Sequence, residues 1–151
     1  MRDASAFDAA EFLGLARRAR RDPYRLGLFA RHLEPDEAPR AVLPVAGGTL
    51  VITDRRLLRL TSHLEIDGAW NVREFAGYTV VDEVPLEAVL AARREVATAP
   101  KEVRDALVVS TREGPKEFLL SQGPEKVVAD EDAERALALI TRSTRSRGPP
   151  A

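Results

Sequence analysis

The apolar positions of the chain change period twice. From Ala6 to Leu33 they recur at three- and four-residue spacing (Phe7, Ala10, Phe12 or Leu13, Ala16, Ala19), which predicts helical structure. Asp22-Pro23 interrupts that run, and the pair is suited to cap and start a second helix carrying Leu26, Phe29, Ala30 and Leu33 on one face. From Glu37 onward the period falls to two. Leu50 and Ile52 alternate with Thr49, Val51 and Thr53, the pattern of a half-buried strand. Gly47-Gly48 before this stretch and Asp54-Arg55 after it are turn chemistry, so a strand over about 40–46 leads in and a longer one through Leu58, Leu60, Leu64 and Ile66 leads out.

The alternation continues past an Asp67-Gly68 hairpin signal. It predicts one or two strands over Val72–Val84, another over Leu90–Ala97, and a hairpin of Ala106–Thr111 with Lys116–Ser121 turning at Glu113-Gly114-Pro115. The period then returns to that of a helix starting at Pro124 or Asp130. Ala133, Ala136, Leu137 and Ile140 form its stripe, with acids early and arginines late, as the helix dipole favours. Residues 144–151, ending in Gly-Pro-Pro-Ala, read as a disordered tail. The expected class is therefore mainly β with helices (α+β). About seven antiparallel strands close into a barrel, a C-terminal helix caps it, and a helical segment precedes it.

Composition narrows the function. The 151 residues fit a single domain, divided here into a helical extension over 1–33, a barrel domain over 34–143 and the tail. Lys plus Arg number 23 against 24 acids, a balance that argues against a general nucleic-acid binder. With no cysteine, disulfides, thiolate zinc sites and thiol nucleophiles are excluded. No apolar run is long enough to span a bilayer and the N-terminus lacks a signal-peptide core, so the expected location is cytoplasmic, with a membrane-peripheral alternative. One stretch departs from the mixed charge: Arg17, Arg18, Arg20, Arg21, Arg25 and Arg31 are six arginines with Asp22 as the only acid among them. They form either a solvated face or a contact surface for anionic lipid or an acidic partner.

The stretch Gly48-Thr49-Leu50-Val51-Ile52-Thr53-Asp54-Arg55-Arg56-Leu57-Leu58 resembles the bacterial pleckstrin-homology (PH) and GRAM-like families, in which an apolar strand, Thr-Asp, Arg-Leu and a second apolar strand follow one another. Leu33-Glu34-Pro35-Asp36-Glu37 and Val84-Pro85-Leu86-Glu87-Ala88-Val89 are also similar to those families, and the likeness covers about 34–143. It implies a PH-like barrel. Phosphoinositide-binding members place basic residues on the first two strands. Here Val42–Ala46 and Thr49–Thr53 carry none, which removes the donors that inositol phosphates need. Thr53, Asp54, Arg55 and Arg56 read as a charged turn that fixes hairpin register, with Thr53 and Asp54 bonding backbone and an arginine pairing with a neighbouring acid.

No catalytic constellation is evident. His32 and His63 show no metal-ligand spacing, Gly47-Gly48 lacks a downstream Gly-Lys-Ser/Thr, and Ser110, Thr111, Ser121 and Thr141 have no neighbouring His. Trp70, Phe75 and Tyr78 read as packing residues rather than an aromatic platform. The expectation is a non-enzymatic interaction module without cofactor or metal. It binds a protein or peptide or assembles with itself; the alternative is a peripheral binder of anionic membrane acting through the arginine-rich segment.

Overall fold

A computed structural model describes residues 2–67 and 71–146; side chains are described except those of 63–67, 71–76 and 145–146. The Asp67-Gly68 turn, Trp70, the side chains of His63 and Phe75, and residues 147–151 of the expected tail therefore lie outside the described residues. The strands are β1 (Glu11–Phe12), β2 (Pro39–Val45), β3 (Gly48–Thr53), β4 (Arg56–Asp67), β5 (Asn71–Pro85), β6 (Val89–Ala99), β7 (Glu102–Thr111) and β8 (Gly114–Gly123). Two α-helices, α1 (Pro23–Ala30) and α2 (Asp130–Ser146), join three 3₁₀ helices at Ala4–Phe7, Gly14–Arg21 and Leu86–Ala88.

The expected closed barrel of about seven antiparallel strands is not what forms. Among the described residues, eight strands make two sheets, one of five in the order β1-β2-β3-β4-β5 and one of three in the order β6-β7-β8. β1 runs parallel to β2 and every other pairing is antiparallel. The reason lies on the outer edge of β2. The Leu13 N–H donates to the Val42 carbonyl at 2.9 Å and the Ala46 N–H to the Leu119 carbonyl at 2.7 Å. Alternate strand residues present their backbone groups to the same edge, so Val42, Pro44 and Ala46 all face outward. The first is taken by the N-terminal segment and Pro44 has no N–H to give, so β2 and β8 touch at Ala46 but do not zip together.

Leu43, Leu50, Ile52 and Leu57 of the first sheet pack against Leu107, Val109, Phe118 and Leu120 of the second. Ala133, Ala136, Leu139 and Ile140 of α2 complete this core. The opposite face of the first sheet is buried as well. Val42, Val51, Leu58 and Leu60 lie beneath Phe7, Phe12, Ala19, Leu26, Phe29 and Leu33. β3 is thus buried on both faces, where its alternation predicts one. Val51 and Thr53 are as enclosed as Leu50 and Ile52, because the N-terminal layer covers what would have been the wet side. That layer is not two continuous helices. It is two 3₁₀ helices, a two-residue strand and α1, with Asp22 Oδ1 accepting from the Arg25 N–H at 3.0 Å and Pro23 opening α1. The Gly47-Gly48 turn needs both glycines. Gly47 has φ +82°, and a Cβ on Gly48 would stand 1.9 Å from the Leu60 carbonyl oxygen.

Candidate functional site

Thr53 to Arg56 form the β3–β4 turn, where they meet a buried carboxylate that the sequence pattern does not single out. Glu37 is fully enclosed. It accepts from Thr53 Oγ1 at 2.6 Å, from Arg56 Nε and Nη2 at 2.9 and 2.8 Å, and from the Glu34 N–H at 3.0 Å. Burial pushes its pKa up, but the bonds from Arg56 and Thr53 outweigh that and hold it below the usual range. Thr53 Oγ1 in turn accepts the N–H groups of Arg55 and Arg56, each at 3.0 Å. Arg56 reaches on to the His32 carbonyl at 2.7 Å and to Glu83 at 3.1 Å. Asp54 accepts from the Ala38 N–H at 2.8 Å and Arg55 pairs with Asp36. One turn therefore ties the end of α1, the 34–37 loop, β3, β4 and β5 together, and its guanidinium and carboxylate groups are consumed in doing so.

The arginine-rich segment divides. Three residues per turn stack i and i+3 in a 3₁₀ helix, so Gly14–Arg21 presents three rows. Ala16 and Ala19 face the second core; Arg17 and Arg20 form one outward row; Leu15, Arg18 and Arg21 form the other. Arg17 is bound bidentately to Asp132 of α2 at 2.9 and 2.8 Å, beside the Gly14 N–H, which donates to the same carboxylate at 3.0 Å. Arg20 lies over the Phe12 ring, 5.6 Å from its centroid. Arg17, Arg18, Arg20 and Arg21 surround a shallow depression of about 570 Å³ floored by Phe12. Arg25 and Arg31 do not line it, and Arg25 sits 3.7 Å from Asp22. Leu15 and Tyr24 are 58% and 68% exposed, and neither stood out in the charge pattern.

A third feature is the edge of the second sheet. β6 is paired with β7 alone, and almost all of its eleven residues are exposed or half-buried. Arg94 is the exception in role. It binds the fully buried Asp105 of β7 bidentately, both bonds 2.8 Å, then Asp130 at 2.6 Å and Glu134 at 3.0 Å on the first turns of α2. The bond from Arg94, with that from Lys126, brings the Asp130 carboxyl down to about 2. Beyond Glu134 an open depression of about 400 Å³ runs along α2 past Leu137, Ala138, Thr141 and Arg142.

Tyr78 packs against Phe29 with ring centroids 4.5 Å apart, and its carbonyl lies 2.9 Å from His32 Nε2. Among the described residues no cluster of three or more His, Asp or Glu could hold a metal, and no helix is long and apolar enough to cross a membrane. No family model matches the chain, and no curated protein matches it. Among solved structures it is similar to a pleckstrin homology domain from Shewanella amazonensis SB2B, with 13% identity, a TM-score of 0.45, and coverage of 73% of this chain and 88% of that one.

Proposed function

We propose that the chain is a non-catalytic, PH-like interaction module that takes an extended peptide as an added strand on β6. The element order supports the class: four antiparallel strands, three antiparallel strands and a closing helix, from β2 to α2. The observation that carries the mode is β6 itself. It is long and keeps continuous register with β7 from Ala91 to Ala99, while its other edge has no strand beside it among the described residues. Leu90 and Val96, 62% and 45% exposed, offer apolar contacts at either end of the charged centre Arg93-Arg94-Glu95. Backbone bonds to such an edge supply affinity, and side-chain contacts supply selectivity. The α2 depression starts at the glutamate that Arg94 holds, so a peptide on β6 has a second wall within reach.

Peptides selected from a random displayed library on the immobilised chain are expected to carry alternating apolar residues. They should lose at least about tenfold in affinity when Leu90 and Val96 are both changed to Lys, a loss of ~1.4 kcal/mol. Recovery of no peptide, or equal binding by the double variant, rejects the reading. The same edge also suits a second copy of the chain. Sedimentation over a range of concentrations distinguishes self-pairing, which the double variant would abolish, from peptide capture by a monomer.

A further inference from the structure

We infer that the 3₁₀ ridge Gly14–Arg21, with Tyr24, is a docking surface for an anionic lipid bilayer. This surface is separate from β6 and stands whether or not β6 takes a peptide. The ridge is held before any ligand arrives. Ala19 is buried beneath it, and the Gly14 N–H and Arg17 are both fastened to Asp132. Arg18 and Arg21 are exposed and make no ion pair or side-chain hydrogen bond among the described residues, while Arg20 lies over Phe12. Among the described residues no carboxylate lines the depression these arginines share. Asp132 is spent on Arg17, and Glu131 is the further acid whose charge reaches that arginine. The result is a firmly seated ridge that carries exposed guanidinium groups, suited to phosphate oxygens.

The choice of a bilayer over a soluble anion rests on the apolar residues. Leu15 stands in the same row as Arg18 and Arg21, and Tyr24 follows on the first turn of α1. Both remain mostly exposed although the chain buries Leu13, Leu26 and Leu28 close by. A free phosphate or a nucleic acid gives Leu15 nowhere to go. At a lipid interface Leu15 enters the acyl boundary, Tyr24 sits at headgroup depth and the arginines meet the phosphates. The direction of charge is also right for the negative surface of a phosphatidylserine membrane.

The test uses the full chain with vesicles of phosphatidylcholine alone or mixed with phosphatidylserine, at low and high salt. Binding is expected only with the anionic lipid and should fall as salt rises. Arg18→Ser together with Arg21→Ser should weaken partitioning roughly twenty-fivefold, from about a fivefold loss per surface arginine. Leu15→Ser should weaken it about tenfold while leaving the salt dependence in place. Arg112→Ser, an exposed arginine on the β7–β8 turn that does not line this depression, should change nothing. All these side chains are exposed, so unchanged thermal unfolding confirms that the variants are folded. Absence of binding to the anionic vesicles, or binding that survives loss of Arg18 and Arg21, overturns the proposal. So does an oligonucleotide or inorganic polyphosphate that binds as tightly as the vesicles and is indifferent to Leu15→Ser, which would make the ridge a site for soluble polyanions.

Discussion

Thr53 shows how much one hydroxyl can organise. Its hydrogen goes to Glu37 and its lone pairs receive the Arg55 and Arg56 N–H groups, so it joins a buried carboxylate to the turn that follows it. Thr53→Val keeps the shape and the β-branch but strands two backbone donors and removes one bond from an enclosed anion. The expected cost is about 2–3 kcal/mol, measured as a lower urea midpoint at unchanged slope. Thr53→Ser retains the hydroxyl and should recover most of it; equal losses in the two variants would show that the methyl contact, not the hydroxyl, matters. The turn was legible in the sequence because Thr-Asp after an apolar strand is local chemistry. Glu37 was not. It lies 19 residues before Arg56, and an acid among Glu34, Asp36 and Glu37 carries no mark of burial until the 34–37 loop folds across the hairpin.

At the level of elements, α2 is gripped on two sides of its first turns. Arg17 takes Asp132 from the N-terminal layer, while Arg94 takes Asp130 and Glu134 from β6. The acids that suit the helix dipole therefore also place the helix over the core. Arg94→Ala leaves Asp105 enclosed and without its cation, so destabilisation of about 3–5 kcal/mol is expected. Asp105→Asn in the same chain should recover part of that loss, because it removes the stranded charge. Chemical denaturation of the single and double variants measures both. Strands, hairpins and α2 could be read from the sequence because each has its own period and turn residues. The N-terminal segment could not, because its form depends on its neighbour. Phe12 lies at helical spacing, yet the open edge of β2 draws it, with Glu11, into a short parallel strand. Ala16 and Ala19 fit a 3₁₀ row as well as an α-helical face. The arginines were visible as a run of charge; that Arg17 is already committed, and that Leu15 shares a row with Arg18 and Arg21, follows only from the three-residue turn.

Across the whole molecule, carboxylates hold the layers together. Glu11 binds Arg135 and ties β1 to α2; Asp132 ties α2 to the 3₁₀ ridge; Glu37 ties the 34–37 loop to the hairpin. All three have pKa values below the ordinary carboxylate range. For Glu11 and Asp132 the bonds from Arg135 and Arg17 are the main cause, and for Glu37 the bonds from Arg56 and Thr53 overcome the opposing effect of burial. A carboxyl whose folded pKa is depressed contributes its full stabilisation above its unfolded pKa, near 4. That contribution is lost as pH falls below it and the unfolded chain takes up the proton first. Stability should therefore be flat from neutral pH down to about 5 and decline below about 4.5. Two of these three ties run between α2 and the N-terminal layer. Amides of residues 4–33 should accordingly lose hydrogen-exchange protection in acid before those of β7 and β8, which are joined to each other by backbone bonds that do not titrate. Simultaneous loss over the whole chain would mean that the apolar contacts of Phe7, Phe29 and Leu33 on the first sheet, and not the ion pairs, hold that layer in place.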